Sequence, residues 1–263
     1  MKNQKELAFV REHFVKDEWT RRFTDLIDKH VKFPDEGKML YINAGTGDHA
    51  IALSERIGAK ADIFAACEDE DVLAIARDKA AALRSAVDFS MVRFENEVFD
   101  VVVADAGFVE PIDIAEISAE AVRVSKSSGR IAILLMTAGS FGEIFSLLWE
   151  VLVNLDLGGH GELAEKMINE IPSVSDAEEM ARAAGLVNVK SHTSTEIFEY
   201  ENGSAFIDSP LIADFLLPMW LEFLDDNEME QVSRELTHLI DAEDGTLTLR
   251  FSVKATLLTG EKG

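Results

Sequence analysis

Near the N-terminus, apolar residues recur at about every third or fourth position. They are Leu7, Val10, Phe14, Trp19, Phe23 and Ile27. Because such spacing places side chains on one face of a helix, it predicts two short amphipathic helices that end before Pro34. Residues 1–38 therefore form a predicted N-terminal helical segment, which we expect to flank a ligand pocket.

From Met39 onwards, short apolar runs alternate with stretches of helical spacing. Four runs have the length of buried strands: Met39–Ile42, Ile63–Ala66, Val101–Ala104 and Ile131–Met136. Three stretches between them have the spacing of helices: Asp48–Ile57, Glu70–Leu83 and Ile114–Val124. Such alternation is typical of an α/β protein, with a parallel, doubly wound sheet covered by helices on both faces. A short third strand is expected between Arg84 and Asp88.

The second half of the chain interrupts this alternation with helical stretches. Residues 141–171 have the pattern of two helices around a Gly-Gly-His-Gly loop, and residues 204–240 are helical and rich in large apolar side chains. We predict both as insertions into a single domain that spans residues 39–263. Leu186–Tyr200 and Thr246–Thr259 alternate as β-strands do, and the second is expected to be an antiparallel C-terminal strand of the mostly parallel sheet.

Short turn and capping signals separate some of these elements. Ser127-Ser128-Gly129 predicts a turn before the strand Ile131–Met136, and Asn202-Gly203 predicts another turn. Ser175 to Glu178 has the spacing of a capping box, and Gly185 is expected to end the same helix.

The charge of the chain is strongly acidic. Twenty-five Lys and Arg residues stand against 49 Asp and Glu residues, which gives a formal net charge of −24. Such a field repels phosphate backbones and anionic lipid surfaces, so we expect neither nucleic acid nor a membrane as a partner.

No apolar run approaches the roughly 18 residues of a membrane span, and the polar first residues have no signal-peptide pattern.

The cysteine and histidine content is low. Cys67 is the only cysteine, so an internal disulfide and a cysteine metal cluster are both excluded, as suits a cytoplasmic protein. The six histidines have no companions at metal-ligand spacing, and no metal site is predicted.

The clearest chemical signal is a glycine-containing loop between the first strand and the first crossover helix. Its residues are Asn43, Ala44, Gly45, Thr46 and Gly47. Such a loop lets backbone N–H groups approach a ligand at a helix N-terminus, which predicts a nucleotide site. Gly45 to Ala50 also satisfies the dinucleotide fingerprint G-x-G-x-x-A, with Glu68 as the ribose acceptor, and a purely structural turn is the third interpretation.

Further stretches resemble the class I S-adenosylmethionine-dependent methyltransferases. Met39–Gly47 is similar to the first motif of that family, and Cys67–Arg77 to its second strand and the helix that follows. Asp88-Phe89, Val92–Asn96 and Phe99–Val103 are similar to its D-A, L-P-F-x-D and F-D-V-V patterns. Gly129–Leu135 and Glu178–Val189 are similar to its fifth strand and to the helix and strand near its end. The resemblance covers roughly residues 39 to 200 and implies a Rossmann-like fold.

The resemblance also implies which residues bind the cofactor, S-adenosyl-L-methionine. The loop from Asn43 to Gly47 would pass beside its methionine and ribose parts. An acidic side chain after the second strand, at Cys67 or Glu68, would accept hydrogen bonds from the ribose hydroxyls.

The other implied contacts lie after the third and fourth strands. Asp88 would accept from the adenine amine, and the backbone of Phe89 would meet the ring edge. Ala104 and Asp105 would face the sulfonium and its methyl group. Asp105 is the candidate for orienting or deprotonating the acceptor, and a loop-capping carboxylate is the alternative interpretation.

The chain departs from the family pattern at three side chains. Tyr41 stands where the first motif has an acid, Asn43 where it has its first glycine, and Cys67 where the ribose acid is expected. Two functional hypotheses follow, which are an active methyltransferase and a catalytically degenerate module that binds or regulates. A nicotinamide-dependent oxidoreductase is the third.

The acceptor is expected to be a small or medium-sized molecule. The insertions could form its pocket, with His160 as a possible base, because variable function commonly lies on segments around a rigid scaffold. Their aromatic residues would line that pocket, pack the insertions or form a homodimer contact. His49, just after the glycine loop, is a further possible base or a surface residue.

Overall fold

The computed structural model describes residues 2–33, 36–242 and 249–263. Within these residues one sheet has seven strands: β1 (Gly37–Ile42), β2 (Ala61–Ala66), β3 (Asp88–Ser90), β4 (Phe99–Ala106), β5 (Ser125–Met136), β6 (Leu186–Tyr200) and β7 (Leu249–Lys262). Their order is β3-β2-β1-β4-β5-β7-β6. The first five pair in parallel and β7 pairs antiparallel to β5. The predicted Rossmann-like class is confirmed.

Eleven α-helices lie within the described residues. They are α1 (Gln4–Val10), α2 (Arg21–His30), α3 (Asp48–Ile57), α4 (Glu70–Leu83), α5 (Ile114–Val124), α6 (Gly142–Asn154), α7 (Gly161–Glu170), α8 (Val174–Ala184), α9 (Gly203–Ile207), α10 (Leu217–Trp220) and α11 (Asp226–Ala242). Short 3₁₀ helices lie at Gly58–Lys60, Pro111–Asp113 and Gly158–His160, and π-helical stretches at Arg11–Thr20 and Ile212–Leu216. The helices α3, α4 and α5 have the predicted bounds. None of the helices described is long and apolar enough to span a membrane.

The N-terminal segment differs from the prediction of two short helices. Its three helical parts follow one another without a break from Gln4 to His30, because Val10 and Thr20 both have helical backbone angles. The π-helical middle part also moves the buried face. Val15 is fully buried, whereas Phe14 is 48% exposed. A π-helix bonds residue i to i+5, so the next inward position after Val10 is Val15 rather than Phe14. Pro34 lies outside the described residues.

The third strand begins later than predicted. Arg84 has a positive φ of 54° and ends α4, where its N–H donates to Ala81 and that of Ser85 to Ala80. These helix-end bonds occupy the backbone that the predicted strand would have used. Strand β3 therefore begins at Asp88, and its Phe89 pairs with Ala65 of β2.

Three turn and capping predictions are also corrected. Ser127 to Gly129 lie within β5, where the pairing with β4 shifts between Phe99 and Val101 and absorbs the extra residues as a bulge. Asn202 caps α9 by accepting from the Ala205 N–H at 2.8 Å, so it begins a helix. The capping box of α8 joins Ser173 and Asp176 instead of Ser175 and Glu178.

Two other local predictions have mixed outcomes. Gly185 ends α8 in the left-handed region, as predicted. The last strand, β7, begins at Leu249 in the described chain, whereas Thr246 to Thr248 lie outside the described residues.

The chain divides into two compact units. The sheet unit contains Lys2–Met136, Ser173–Ser194 and Ala255–Gly263, and its core includes Leu40, Val102 and Ile133, all at most 1% exposed. The helical unit contains Thr137–Pro172 and Thr195–Lys254, and thus the residues of both predicted insertions. Its own core is aromatic, since Phe141 and Phe145 both pack against Trp220. The glycine loop belongs to the sheet unit.

Candidate functional site

The glycine loop turns sharply at the carboxyl end of β1. Asn43, Gly45 and Gly47 all have positive φ angles, and Gly47 is the left-handed residue before α3. The Ala44 N–H donates to Ala66 at 2.9 Å, which fixes the loop to the end of β2. The loop therefore lies where neighbouring parallel strands end, the usual ligand edge of such sheets.

Gly47 could not be replaced by a larger residue without a rearrangement. A Cβ at this position would lie 2.5 Å from Cζ of Phe89, whose ring is buried beside the loop. Its φ of 87° is also unfavourable for residues with a side chain. The glycine is thus required by both backbone angle and space.

Glu68 is the carboxylate that the fold brings to the loop. Its Oε2 accepts from the Gly45 N–H at 3.2 Å, and its Oε1 accepts from Nη2 of Arg11 at 2.7 Å. Cys67, which aligns with the usual ribose acid, directs its thiol to the Gly45 carbonyl at 3.5 Å. Burial, with a further contribution from the charge of Glu68, raises the pKa of Cys67 to about 12. At neutral pH the thiol is uncharged, so Glu68 is the ionisable acceptor at this position.

Arg11 covers the loop from the N-terminal helical segment. Its side chain is only 16% exposed, and its guanidinium would lie within 3.4 Å of a Cβ on Gly45. Burial alone would lower the pKa of Arg11, but the charges of Glu68 and Asp105 outweigh it and raise the pKa. The sequence pattern does not predict Arg11 as a site residue. The only signal in the sequence is a cation directly after Val10, among helix positions that are otherwise apolar.

Asp105 ends β4 next to this loop. Its backbone carbonyl accepts from Nδ2 of Asn43 at 3.1 Å, and its Oδ1 accepts from the Gly107 N–H at 2.9 Å. Loss of contact with water raises the pKa of this carboxyl group, although Gly107 and Arg11 act in the opposite direction. Ala104 has its side chain in the sheet core, so only its backbone is available to a ligand.

A chain of hydrogen bonds connects Tyr41 to the N-terminal segment. The Tyr41 hydroxyl lies 3.1 Å from Nδ1 of His49, whose Nε2 lies 3.0 Å from Oδ1 of Asp28. Arg56 donates to the same Asp28 oxygen at 2.6 Å. His49 is therefore a largely buried link between α2 and β1, which differs from the surface residue considered in the sequence analysis. Burial raises the pKa of Tyr41 well above its usual value.

A second polar network lies beside Thr46. The Thr46 hydroxyl donates to Asp48 at 3.2 Å, and Lys79 donates to Asp48 at 2.6 Å and also to Glu12. Burial would raise the pKa of Glu12, but hydrogen bonds from Lys16 and Lys79 lower it. Both networks attach the N-terminal segment to the loop and its helix.

Asp88 and Phe89 are the first two residues of β3, which pairs with β2. Asp88 is exposed and begins β3, two residues before the strand reaches the ligand edge. At that edge the Ser90 carbonyl accepts from the Cys67 N–H at 3.0 Å. The Phe89 carbonyl accepts from Nε of Arg77 at 3.0 Å, while its ring packs against Gly47.

The space between the loop and its cover is small. A void of about 20 Å³ is lined by the loop together with Arg11, Lys16 and Asp105. About 10–15 Å³ of such volume holds one water molecule, so this void holds about one, and a nucleoside requires Arg11 to move. The hydrogen bonds of Glu68 nevertheless suit a ribose. Its carboxylate accepts from two donors, and a ribose offers two hydroxyl groups.

The remaining candidate base, His160, belongs to the helical unit. Its Nε2 lies 3.4 Å from Oε1 of Glu228, and its ring packs near Phe223. Across the part of the chain that the structure describes, no three His, Cys, Asp or Glu side chains are grouped as a metal ion would require.

Comparison with known proteins gives matches in both sequence and structure. The sequence model of the ubiE/COQ5 methyltransferase family matches residues 13–198. A demethylmenaquinone methyltransferase of Shouchella clausii is 30% identical over 102 residues, which are 36% of this chain and 43% of that protein. One of Staphylococcus aureus (strain JH9) is 24% identical over 172 residues, or 60% of this chain and 71% of that protein.

Two solved structures illustrate the similarity in fold. YcgJ from Bacillus subtilis has a TM-score of 0.59 at 18% identity, with 92% of this chain and 98% of that chain covered. Phosphoethanolamine N-methyltransferase 2 from Haemonchus contortus, in complex with S-adenosyl-L-methionine, has a TM-score of 0.58 at 13% identity. This match covers 99% of this chain and 58% of that chain.

Proposed function

Because the chain belongs to the ubiE/COQ5 methyltransferase family and is an S-adenosylmethionine-dependent methyltransferase, we propose that it methylates a small or medium-sized acceptor. This proposal rests on the position of the Glu68 carboxylate, which accepts hydrogen bonds from the Gly45 N–H and Arg11 at the glycine loop. It supplies a ribose acceptor where Cys67 replaces the usual acid.

We propose that cofactor binding begins with the release of Arg11. Glu68 would then accept hydrogen bonds from the ribose hydroxyls in place of Arg11, and Gly45 and Gly47 leave the backbone free of side chains that would block a close approach. When bound, S-adenosylmethionine supplies the methyl group on a positively charged sulfur. The loop would hold the cofactor through its backbone N–H groups at the start of α3.

Asp105 is the proposed group for the acceptor. A raised pKa makes a carboxylate a better hydrogen-bond acceptor and base, and Gly107 and Asn43 fix the position of this residue. Much of the rate of methyl transfer comes from in-line positioning and exclusion of water. Asp105 would therefore orient the acceptor, and take its proton where the acceptor carries one.

A titration series tests the cofactor assignment. S-Adenosylmethionine, S-adenosylhomocysteine and NAD⁺ are added separately to the folded protein in a calorimeter. We expect micromolar binding of the first two and no heat from NAD⁺. Binding of NAD⁺ alone would favour the oxidoreductase, and no binding of any of the three would contradict the proposed site.

A transfer assay tests the acceptor. Methyl-labelled S-adenosylmethionine is incubated with the protein and a panel that contains a demethylated naphthoquinol, because the sequence relatives are demethylmenaquinone methyltransferases, together with simple phenols and amines. We expect label in one acceptor class and at least a tenfold loss of rate with Asp105→Asn. Binding of the cofactor without transfer to any acceptor would favour the degenerate module.

A further inference from the structure

A second groove in the sheet unit lies away from the glycine loop. Its volume is about 500 Å³, and it is bordered by β4, β5, the end of β7, the start of β6 and the residues just after α2. Arg130 of β5 pairs with Val101 of β4 and with Glu261 of β7. Because β1, β4 and β5 are parallel, this groove lies towards their amino ends, whereas the loop follows the carboxyl end of β1. The groove and the glycine loop thus lie at opposite ends of the parallel strands.

The walls of this groove are basic. Lys32, Arg130 and Lys190 line it, and within residues 2–33, 36–242 and 249–263 none of the three forms an ion pair. The one carboxylate in the lining, Glu261, accepts from Nδ2 of Asn188 at 3.2 Å. In a chain with about twice as many acidic as basic residues, acidic partners are abundant. Three cations around one groove, none of them paired with a carboxylate of the described residues, point to an anionic ligand.

A stacked pair of histidines lies at the groove. The ring of His30, which lines it, lies 3.7 Å from that of His192 at an angle of 12°. Burial, with His30 and Lys190 as further causes, lowers the pKa of His192. A bound anion would favour the protonated ring and so raise the pKa of His192 again.

The floor and size of the groove suit a small molecule. Val101 and Ala132 lie on the same face of the sheet as Arg130, form an apolar floor and are at most 2% exposed. A volume of about 500 Å³ falls within the range of small-molecule sites, roughly 300–1,000 Å³. Arg130 is already oriented, since its Nη1 donates to the Lys32 carbonyl at 2.5 Å and its fork leaves other N–H groups for a ligand.

We propose that this groove binds a small soluble phosphate compound, with Lys32, Arg130 and Lys190 around its phosphate groups. Phosphates carry the highest charge density among common metabolite anions, and guanidinium and ammonium groups bind them through charge-assisted hydrogen bonds. The large negative field of the rest of the chain repels extended polyanions such as DNA, so the site selects compact ones. The site is separate from the methyl-transfer site.

The test uses inorganic pyrophosphate, ADP and adenosine as probes in calorimetric titrations. We expect pyrophosphate and ADP to bind in the micromolar to submillimolar range, with affinity that falls as salt rises, and adenosine to bind at least tenfold more weakly than ADP. Saturating S-adenosylhomocysteine should leave the pyrophosphate affinity unchanged. Absence of pyrophosphate binding, equal affinity for ADP and adenosine, or competition with S-adenosylhomocysteine would each overturn the proposal.

A double variant locates the site. Lys32→Gln with Lys190→Gln changes two exposed side chains and should weaken pyrophosphate binding at least tenfold. The control, Lys29→Gln with Lys166→Gln, removes the same charge from two exposed lysines outside the lining and should change affinity less than twofold. Equal losses in both variants would reduce the effect to net charge and refute the site. Neither result depends on whether the glycine loop binds its cofactor.

Discussion

Arg11 and the Gly45 N–H share the Glu68 carboxylate, and this arrangement decides what a nucleoside has to displace. The glycine loop was predictable from the sequence because its glycines stand in a recognisable order between a strand and a helix. Glu68 was predictable only as one of two alternatives, since an extended strand would point it and Cys67 to opposite sides. The structure ends β2 at Ala66, so both residues lie beyond the strand and both reach Gly45.

Arg11→Met should tighten the binding of S-adenosylhomocysteine by about three- to tenfold. The variant keeps an apolar stem under the helix but removes the ion pair that the ribose must break, a difference of about 1 kcal/mol. Calorimetric titration of the variant measures the change. Arg21→Met is the control, because Arg21 forms an exposed ion pair with Asp17 and does not line the loop. Weaker binding by Arg11→Met would show that Arg11 assists the cofactor.

Asp28→Asn should lower stability at neutral pH and have little effect in acid. Hydrogen bonds from His49 and Arg56 lower the pKa of Asp28 to about 2 even though burial acts to raise it. Because the pKa of Asp28 is lower in the folded chain than in the unfolded chain, where it is about 4, Asp28 stabilises the folded chain above about pH 4. This stabilisation is lost as the pH falls towards 2. Because Asp28 is partly exposed, we expect about 1 kcal/mol at pH 7.

The measurement for Asp28 is the free energy of unfolding in urea at pH 7, 5 and 3. The difference between wild type and Asp28→Asn should be constant from pH 7 to 5 and smaller at pH 3. Asp25→Asn is the matched control on the same helix, where the ion pair with Lys29 is exposed. A difference that does not change with pH would rule out the Asp28 ion pair as its cause.

At the scale of elements, the three crossover helices in the first half of the chain were predictable to the residue, whereas strands β1, β2, β4 and β5 begin two to six residues before the predicted runs. Helices α3, α4 and α5 have the predicted bounds because each has a regular apolar face and a clear end. The π-helical stretch at Arg11–Thr20 was not predictable, since its register depends on the packing of Val15 and Trp19 into the core. The register of this π-helical stretch also points the Arg11 side chain towards the glycine loop. Strand β3 was misplaced because three residues are too few for a recognisable pattern.

Gly47→Ala should destabilise the protein by about 2–4 kcal/mol and weaken cofactor binding. The new Cβ would clash with Phe89, and the positive φ adds strain of about 1 kcal/mol. Gly185→Ala isolates the strain, because Gly185 is also in the left-handed region, at φ 108° and ψ 12°, and a Cβ there would meet only Val122 at 3.4 Å. Urea unfolding of both variants provides the comparison. Equal destabilisation would show that the Phe89 contact contributes nothing.

At the scale of the whole molecule, the net charge of −24 opposes the compact state by self-repulsion. Ion pairs such as those of Lys79 with Glu12 and Asp48 act in the opposite direction, but 25 basic residues cannot neutralise 49 acidic ones. The charge was evident from the sequence, whereas the unpaired cations around the second groove were not, because they come from segments far apart in the chain. Only the fold brings Lys32, Arg130 and Lys190 together.

Raising the salt concentration should therefore stabilise the protein. Salt shortens the Debye length from about 30 Å at 0.01 M to about 3 Å at 1 M, which screens the repulsion more than it weakens the close ion pairs. We expect Tm to rise by about 5 °C between 20 mM and 500 mM sodium chloride in a thermal scan. The same rise in choline chloride would exclude a specific cation, and a fall in Tm would contradict the dominance of repulsion.

The affinity of S-adenosylhomocysteine for Glu68→Gln, compared with the wild type, tests directly whether Glu68 and the glycine loop bind the cofactor. A lost hydrogen bond to a charged acceptor is worth about 1.5–3 kcal/mol, so binding should weaken at least tenfold. Glu70→Gln, two residues further on at an exposed position in the first turn of α4, should bind as the wild type does. Calorimetric titration of the three proteins measures this. An unchanged affinity in Glu68→Gln would contradict the assignment of the glycine loop and Glu68 as the cofactor site.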